Sequence, residues 1–176
     1  MRELTDPERI EKFMQALGAE AREAGRVYLT GGACAVLLGW RATTVDIDLK
    51  LVPEQDRLLQ ALPRLKEDLR VNVELASPAD FIPEVPGWES RSLFVRQVGR
   101  LTFQHYDFYA QALAKIERGH AQDLEDVRHM LEQGLVAPDQ LLHCFKEIEP
   151  FLYRFPALDP ASFRRKVEKI SKEYLS

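Results

Sequence analysis

The sequence predicts a mixed α/β (α+β) amino-terminal part followed by an α-helical carboxy-terminal part, with the break near residue 107. Three observations carry this. Short β-prone runs alternate with helical periodicity as far as Tyr106. Val45-Asp-Ile-Asp-Leu-Lys-Leu51 alternates apolar and polar residues in the strand period of two. After Asp107 only helical spacing remains, punctuated by Gly119, Gly134, Pro150 and Pro160. The expected organisation is a core over 1–106 and a helical region over 107–176 packed on it.

Taken in order, Thr5-Asp-Pro-Glu8 reads as a helix start with Thr5 as cap, and Ile10, Phe13, Met14, Leu17 and Ala21 recur at helical spacing towards a stop at Gly25. Val27–Thr30 is a short strand, Gly31-Gly32 a turn, and Ala33–Trp40 an apolar helix. Val45–Leu51 is the clearest strand. Glu54–Leu69 is helical through Leu58, Leu62, Leu65 and Leu69, and Val71–Leu75 is a strand. Residues 77–90, rich in proline, read as loop with one turn at Ala79–Phe81. Ser92–Val98 and Leu101–Tyr106 read as a hairpin about Gly99. Helices follow over 107–118, 121–133, 138–149 and 159–174.

Composition narrows the function classes. Net charge is −4 over 176 residues, which excludes a general electrostatic footprint for nucleic acid. No apolar run reaches spanning length, and the amino terminus is polar, so neither a membrane helix nor a signal peptide is expected. Two cysteines, Cys34 and Cys144, share no close spacing, so a zinc site is not indicated and a reducing, cytoplasmic setting is expected. The four histidines are scattered and form no ligand spacing.

The chemistry-bearing residues centre on the strand. Val45, Ile47, Leu49 and Leu51 face one side, and Asp46, Asp48 and Lys50 the other. Carboxylates at i and i+2 stand roughly 7 Å apart along a strand, within reach of a shared cation. Like charges held so close repel, and hard oxygen donors favour Mg²⁺ or Mn²⁺. An amphipathic strand with an acidic face is the alternative. Upstream, Thr30-Gly31-Gly32 joins a strand to a helix, where glycines let a phosphate approach the backbone; a tight, closely packed turn needs glycine as well. Thirteen residues separate Gly32 from Asp46, enough for one short helix and a return loop that would set the turn beside the acids.

Leu29-Thr-Gly-Gly32 followed by Asp46-Ile-Asp-Leu49 resembles the signature of the DNA polymerase β-like nucleotidyltransferase superfamily. Arg41-Ala-Thr-Thr-Val-Asp46, Leu113-Ala-Lys-Ile-Glu-Arg118 and Asp123-Leu-Glu-Asp126 resemble the further motifs of its AbiEii-type toxin branch. The resemblance spans about residues 27–133. It implies the nucleotidyltransferase fold, a mixed sheet flanked by helices, with Asp46 and Asp48 on Mg²⁺ (or Mn²⁺). A third carboxylate would complete the metal set and activate an acceptor hydroxyl. Glu74 is the choice, because Val71-Asn-Val-Glu-Leu75 copies the alternation of the Asp strand; Asp80 and Asp107 are runners-up. Lys115 would neutralise triphosphate charge. Thr30, Gly31, Gly32, Thr44, Lys115 and Asp123 are the nucleotide-binding candidates. The implied reaction moves a nucleotidyl group from an NTP to RNA (a tRNA end) or a protein hydroxyl, in a toxin–antitoxin setting with an antitoxin partner. The alternative is a nucleotide- or partner-binding module of the same fold without effective catalysis.

Other features favour ordinary structural roles. Arg118 and Asp126 read as an exposed ion-pair lattice, in contrast to Lys115 and Asp123. Arg91, Arg96 and Arg100 near Phe94 and Phe103, Trp88 in its loop, and the basic last helix are read as surface chemistry and loop anchoring rather than RNA contacts.

Overall fold

The computed structural model describes residues 3–175 and divides into two compact units. One takes the chain up to Ser77 and returns for Ser92–Tyr106; the other holds Pro78–Arg91 and the chain from Asp107 onward.

In the first unit the elements are α1 (Pro7–Glu20), β1 (Gly25–Thr30), α2 (Gly32–Leu37), β2 (Asp46–Val52), α3 (Asp56–Leu69), β3 (Asn72–Leu75), β4 (Leu93–Val98) and β5 (Leu101–His105). Among the described residues the strands form one mixed sheet in the order β3-β2-β1-β5-β4. β1 runs antiparallel to β2 and parallel to β5; β2 runs parallel to β3; β4 and β5 form the expected hairpin. This is the mixed sheet with helices that the family resemblance implies.

Strand period two sorts the sheet into an apolar and a polar face. Leu75, Leu49, Leu29 and His105 lie in one row across β3, β2, β1 and β5, with Ile47 beside Val73 and Leu51 beside Val27. Ile10, Phe13, Met14 and Leu17 of α1 and Leu58, Leu62 and Leu65 of α3 are buried, the stripe each helix must hide. Gly18 lets α1 approach β4: a Cβ there would stand 2.6 Å from Val98 Cβ and 2.8 Å from its carbonyl oxygen.

Element ends differ from the local reading in instructive ways. Asp6, not Thr5, caps α1, accepting from the Arg9 amide at 2.9 Å. Thr5 is unavailable because its backbone pairs with Thr44, donating at 2.7 Å and accepting at 2.9 Å. The helix stops at Glu20 without a glycine, and Gly25 opens β1 instead. α2 ends at Leu37 rather than Trp40, and Gly39 at φ 90° turns the chain away.

The second unit contains a 3₁₀ turn (Pro78–Asp80), one helical turn α4 (Trp88–Arg91), α5 (Phe108–Arg118), α6 (Ala121–Glu132), α7 (Pro138–Ile148), a 3₁₀ stretch (Glu149–Arg154) and α8 (Pro160–Leu175). The local sequence predicts loop for α4 and a break for the Glu149–Arg154 stretch. Trp88 explains the first: its ring is buried and its Nε1 donates to Glu84 Oε1 at 2.9 Å, pinning the turn. Phe145 and Phe163 pack edge-on at 4.9 Å between α7 and α8.

His105 gives the first unit a pH signature. Its place in the apolar row leaves it 5% exposed, and burial pushes the imidazole down from 6.5 to about 4. The unfolded chain therefore takes this proton first. Stability is full above about pH 6.5 and is lost as pH falls towards 4, by about 3 kcal/mol from this group. Denaturation of wild type and His105→Gln across pH 4–7 checks this; the wild-type slope is expected to shrink in the variant.

Candidate functional site

β2 delivers the acidic pair as its alternation demands: Ile47, Leu49 and Leu51 are buried, while Asp46, Asp48 and Lys50 are half-buried on the opposite face. Register supplies the third acid. Glu74 of β3 lies directly beside Asp48, and Thr30 of β1 lies on its other side, so Glu74, Asp48 and Thr30 form one polar row. Neighbouring strands sit about 4.8 Å apart, and ligand oxygens of Asp46, Asp48 and Glu74 all lie within 4.8 Å of one another. Among the described residues this is the group of acids that converges.

Asn72, beside Asp46 in the register, links the acids. Its Nδ2 donates to Asp46 Oδ1 and lies 3.4 Å from Glu74 Oε1. The sequence puts Asn72 on the polar face but assigns it nothing; its i, i+2 spacing to Glu74 was the available signal.

The glycine turn stands next to these acids. Gly31 has φ 63° and ψ −133°, a region closed to side-chain-bearing residues. A Cβ on it would stand 3.4 Å from Asp48 Oδ2, so the turn and the carboxylate share a boundary. Gly31 O accepts from the amides of Cys34 and Ala35 at 3.1 and 3.3 Å, starting α2 at Gly32. A Cβ on Gly32 would overlap the Thr44 hydroxyl, 2.8 Å from Thr44 Cβ, and would lie 3.1 Å from Arg41 Nη1. Thr44 ties the turn to β2, its Oγ1 donating to the Asp46 carbonyl at 3.1 Å. Cys34 packs as expected, fully buried with Sγ donating to Leu29 O at 3.2 Å.

The donor set fits a hard divalent cation. Carboxylate oxygens alone favour Mg²⁺ or Mn²⁺ over softer metals. Their mutual repulsion is relieved by a cation between them, and Gly31 leaves the space beside Asp48 that a side chain would fill.

The runner-up Asp107 has other work. It caps α5, accepting from the Tyr109 and Ala110 amides at 3.1 and 3.3 Å, and takes a two-pronged ion pair from Arg91 at 3.1 and 2.7 Å. Asp80 lies in the Pro78–Asp80 turn. Neither joins the converging group.

Lys115 and Asp123 lie in the helical unit, in a cluster that corrects one expectation. Asp126, read as exposed, is 1% exposed, with Asp123 at 2% and Lys115 at 8%. Lys115 Nζ donates to Asp126 Oδ2 at 2.9 Å and stands 3.7 Å from Asp123 Oδ1. Arg118, more exposed, forks onto Asp123 with Nε to Oδ2 at 2.7 Å. Gln122 donates to Asp126 Oδ1 at 3.2 Å. Burial would raise the Asp123 carboxyl, but Arg118 and Lys115 hold it below its ordinary value. The lattice is internal because α5 and α6 turn these charges towards each other.

The remaining candidates have partners within the protein. Arg96 pairs with Glu11 at 2.7 Å and Arg100 donates to the Arg22 carbonyl at 2.7 Å. Phe103 is fully buried, and His129 and His143 lie 3.5 and 3.4 Å from glutamates on their own helices. A groove of about 480 Å³ in the helical unit is lined by Ile116, Leu124, Val127, Ile170 and Tyr174 together with charged side chains of both signs. It gathers no converging acids or nucleophile, so the chemistry is assigned to the β2 row. No helix among the described residues is long and apolar enough to cross a membrane.

Compared with known families, residues 8–175 match the model of a family described as "Nucleotidyltransferase of unknown function (DUF6036)". Comparison with the curated proteins and with the solved structures found no match.

Proposed function

The chain belongs to this nucleotidyltransferase family, and from that premise we propose that it moves a nucleotidyl group from an NTP to an acceptor hydroxyl at Asp46, Asp48 and Glu74. The convergence of these acids beside the Gly31-Gly32 turn is the observation that carries the reading. Asp46, Asp48 and Glu74 would hold Mg²⁺ or Mn²⁺. The bound cation supplies charge neutralisation and orientation of phosphate oxygens.

The residues of the chain do the rest. The turn offers close backbone approach for a phosphate, with Thr30 and Thr44 flanking it. Asn72 holds Asp46 in its rotamer. Glu74, the exposed member of the row, accepts the acceptor's proton as the acceptor oxygen bonds to the α-phosphorus. The bond from that phosphorus to the bridging oxygen breaks, and pyrophosphate leaves. Positioning and charge neutralisation supply most of the rate in such transfers.

The finer assignments rest on the motif resemblance. Arg41 to Asp48, with Lys115 and Asp123, support placement in the AbiEii-type branch. An RNA end or protein hydroxyl would then be the acceptor, an antitoxin the partner, and the cytoplasm the setting. Lys115 would counter triphosphate charge, and Asp123 would serve nucleotide binding.

The test is incubation with each labelled NTP, Mg²⁺ or Mn²⁺, and total RNA or cell protein. Label transfer that EDTA abolishes is expected. Absence of transfer from every NTP, or transfer indifferent to EDTA, would refute the proposal.

A further inference from the structure

One charged side chain at the turn has no role in the scheme above. Arg41 reaches the Gly32 side, where its Nη1 would stand 3.1 Å from a Cβ on that residue. The preceding residue of the same turn, Gly31, borders Asp48 Oδ2. The turn thus has a carboxylate of the metal set at Gly31 and a guanidinium at Gly32.

Arg41 is anchored at its base. Its amide and that of Trp40 donate to Ala35 O at 3.3 and 3.0 Å, closing the end of α2. Thr44, a few residues on, is held by Thr5 on one side and packs on Gly32 on the other. The guanidinium is therefore presented from a fixed stem and is half exposed. It stays charged at every working pH, and its planar fork matches phosphate oxygens two at a time.

Resting on the proposed reading of the acids, we propose that Arg41 grips a phosphate of the donor other than the one transferred, and so selects nucleoside triphosphates over monophosphates. A polyphosphate lying along the turn meets the cation held by the acids at the Gly31 side and the Arg41 fork at the Gly32 side. A triphosphate offers separate phosphates to the two groups, whereas a monophosphate has one phosphate to share between them. Gly32 suits this arrangement because any side chain there would displace the guanidinium or Thr44.

Calorimetry on the full chain tests this with Mn²⁺ alone, then with NTP, NMP and inorganic tripolyphosphate in Mn²⁺. For Arg41→Ala, NTP and tripolyphosphate binding is expected to weaken roughly 10- to 100-fold, the worth of a charge-assisted hydrogen-bond pair. Affinities for Mn²⁺ and NMP are expected to stay within about 3-fold. Arg41→Lys, which keeps the charge but not the fork, is expected to fall between, and it serves if the alanine variant folds poorly. NTP affinity unchanged in both variants, or NMP affinity falling as far as NTP affinity, overturns the assignment. The parent reading is read separately: wild type that binds neither Mn²⁺ nor NTP sinks both. Wild type that binds both, with Asp46→Ala losing Mn²⁺, leaves Arg41 alone at stake.

Discussion

Asp48→Asn is expected to lower nucleotidyl transfer by at least about 1,000-fold at saturating NTP and Mg²⁺, roughly 4 kcal/mol of transition-state stabilisation. Asp48 is the middle of the polar row, with Glu74 on one side and Thr30 on the other, and its Oδ2 borders the Gly31 turn. Amide substitution keeps the shape but removes the charge that holds a cation between the acids. The fold should not suffer with it. In EDTA the variant loses one of several like charges packed within 4.8 Å, so its melting temperature is expected to equal or exceed that of wild type. In Mg²⁺ the order reverses, because a ligand of the native state stabilises only the chain that binds it. Rates from the labelled-NTP assay and melting curves with and without Mg²⁺ check both halves. A variant that transfers at the wild-type rate would dissociate the row from the chemistry.

Lys115→Met is expected to destabilise the helical unit by about 3–5 kcal/mol, the usual effect of removing one partner from a buried ion pair. Asp126 bears most of this. Asp123 keeps the Arg118 fork, whereas Asp126 loses the Lys115 donor at 2.9 Å and retains the Gln122 amide at 3.2 Å. Taking the cation from a carboxylate at 1% exposure is costly. The double variant Lys115→Met/Asp126→Asn should therefore be more stable than the single one. Urea unfolding, with hydrogen exchange at α5 and α6 amides as the local readout, measures both. Equal stability of Lys115→Met and wild type would show that the cluster is not held as described. The resemblance also gives Lys115 a part in countering triphosphate charge. Lys115→Arg, which keeps the cation, separates the two roles if transfer falls while stability holds.

Much of the candidate site is legible in the sequence alone. Period-two alternation is a local property, so Asp46 and Asp48 had to share a face once Ile47, Leu49 and Leu51 were buried. The same reasoning marked Glu74, because Val71-Asn-Val-Glu-Leu75 repeats the pattern. Gly31 was legible as the residue able to take a positive φ between a strand and a helix. What alternation cannot state is register. A slip of one residue between β2 and β3 would have turned Glu74 away from Asp48. The pairing Asp48 to Glu74 follows from how the whole sheet packs its apolar rows.

Three features were decided by tertiary structure alone. Thr5 has the composition of a helix cap, yet its backbone is taken by Thr44, a partner no local window contains. Arg41 comes to the Gly32 side of the turn because α2 ends early and the chain doubles back. Lys115, Asp123 and Asp126 show the deepest limit. Spacing put them on helical faces, but only the meeting of α5 and α6 made those faces interior. The sequence by itself determined the five strands, the long helices and the acidic face, because periodicity and backbone sterics act within a few residues. The tertiary structure decided which acids meet and which charges leave water, because register and burial depend on parts of the chain far apart in sequence.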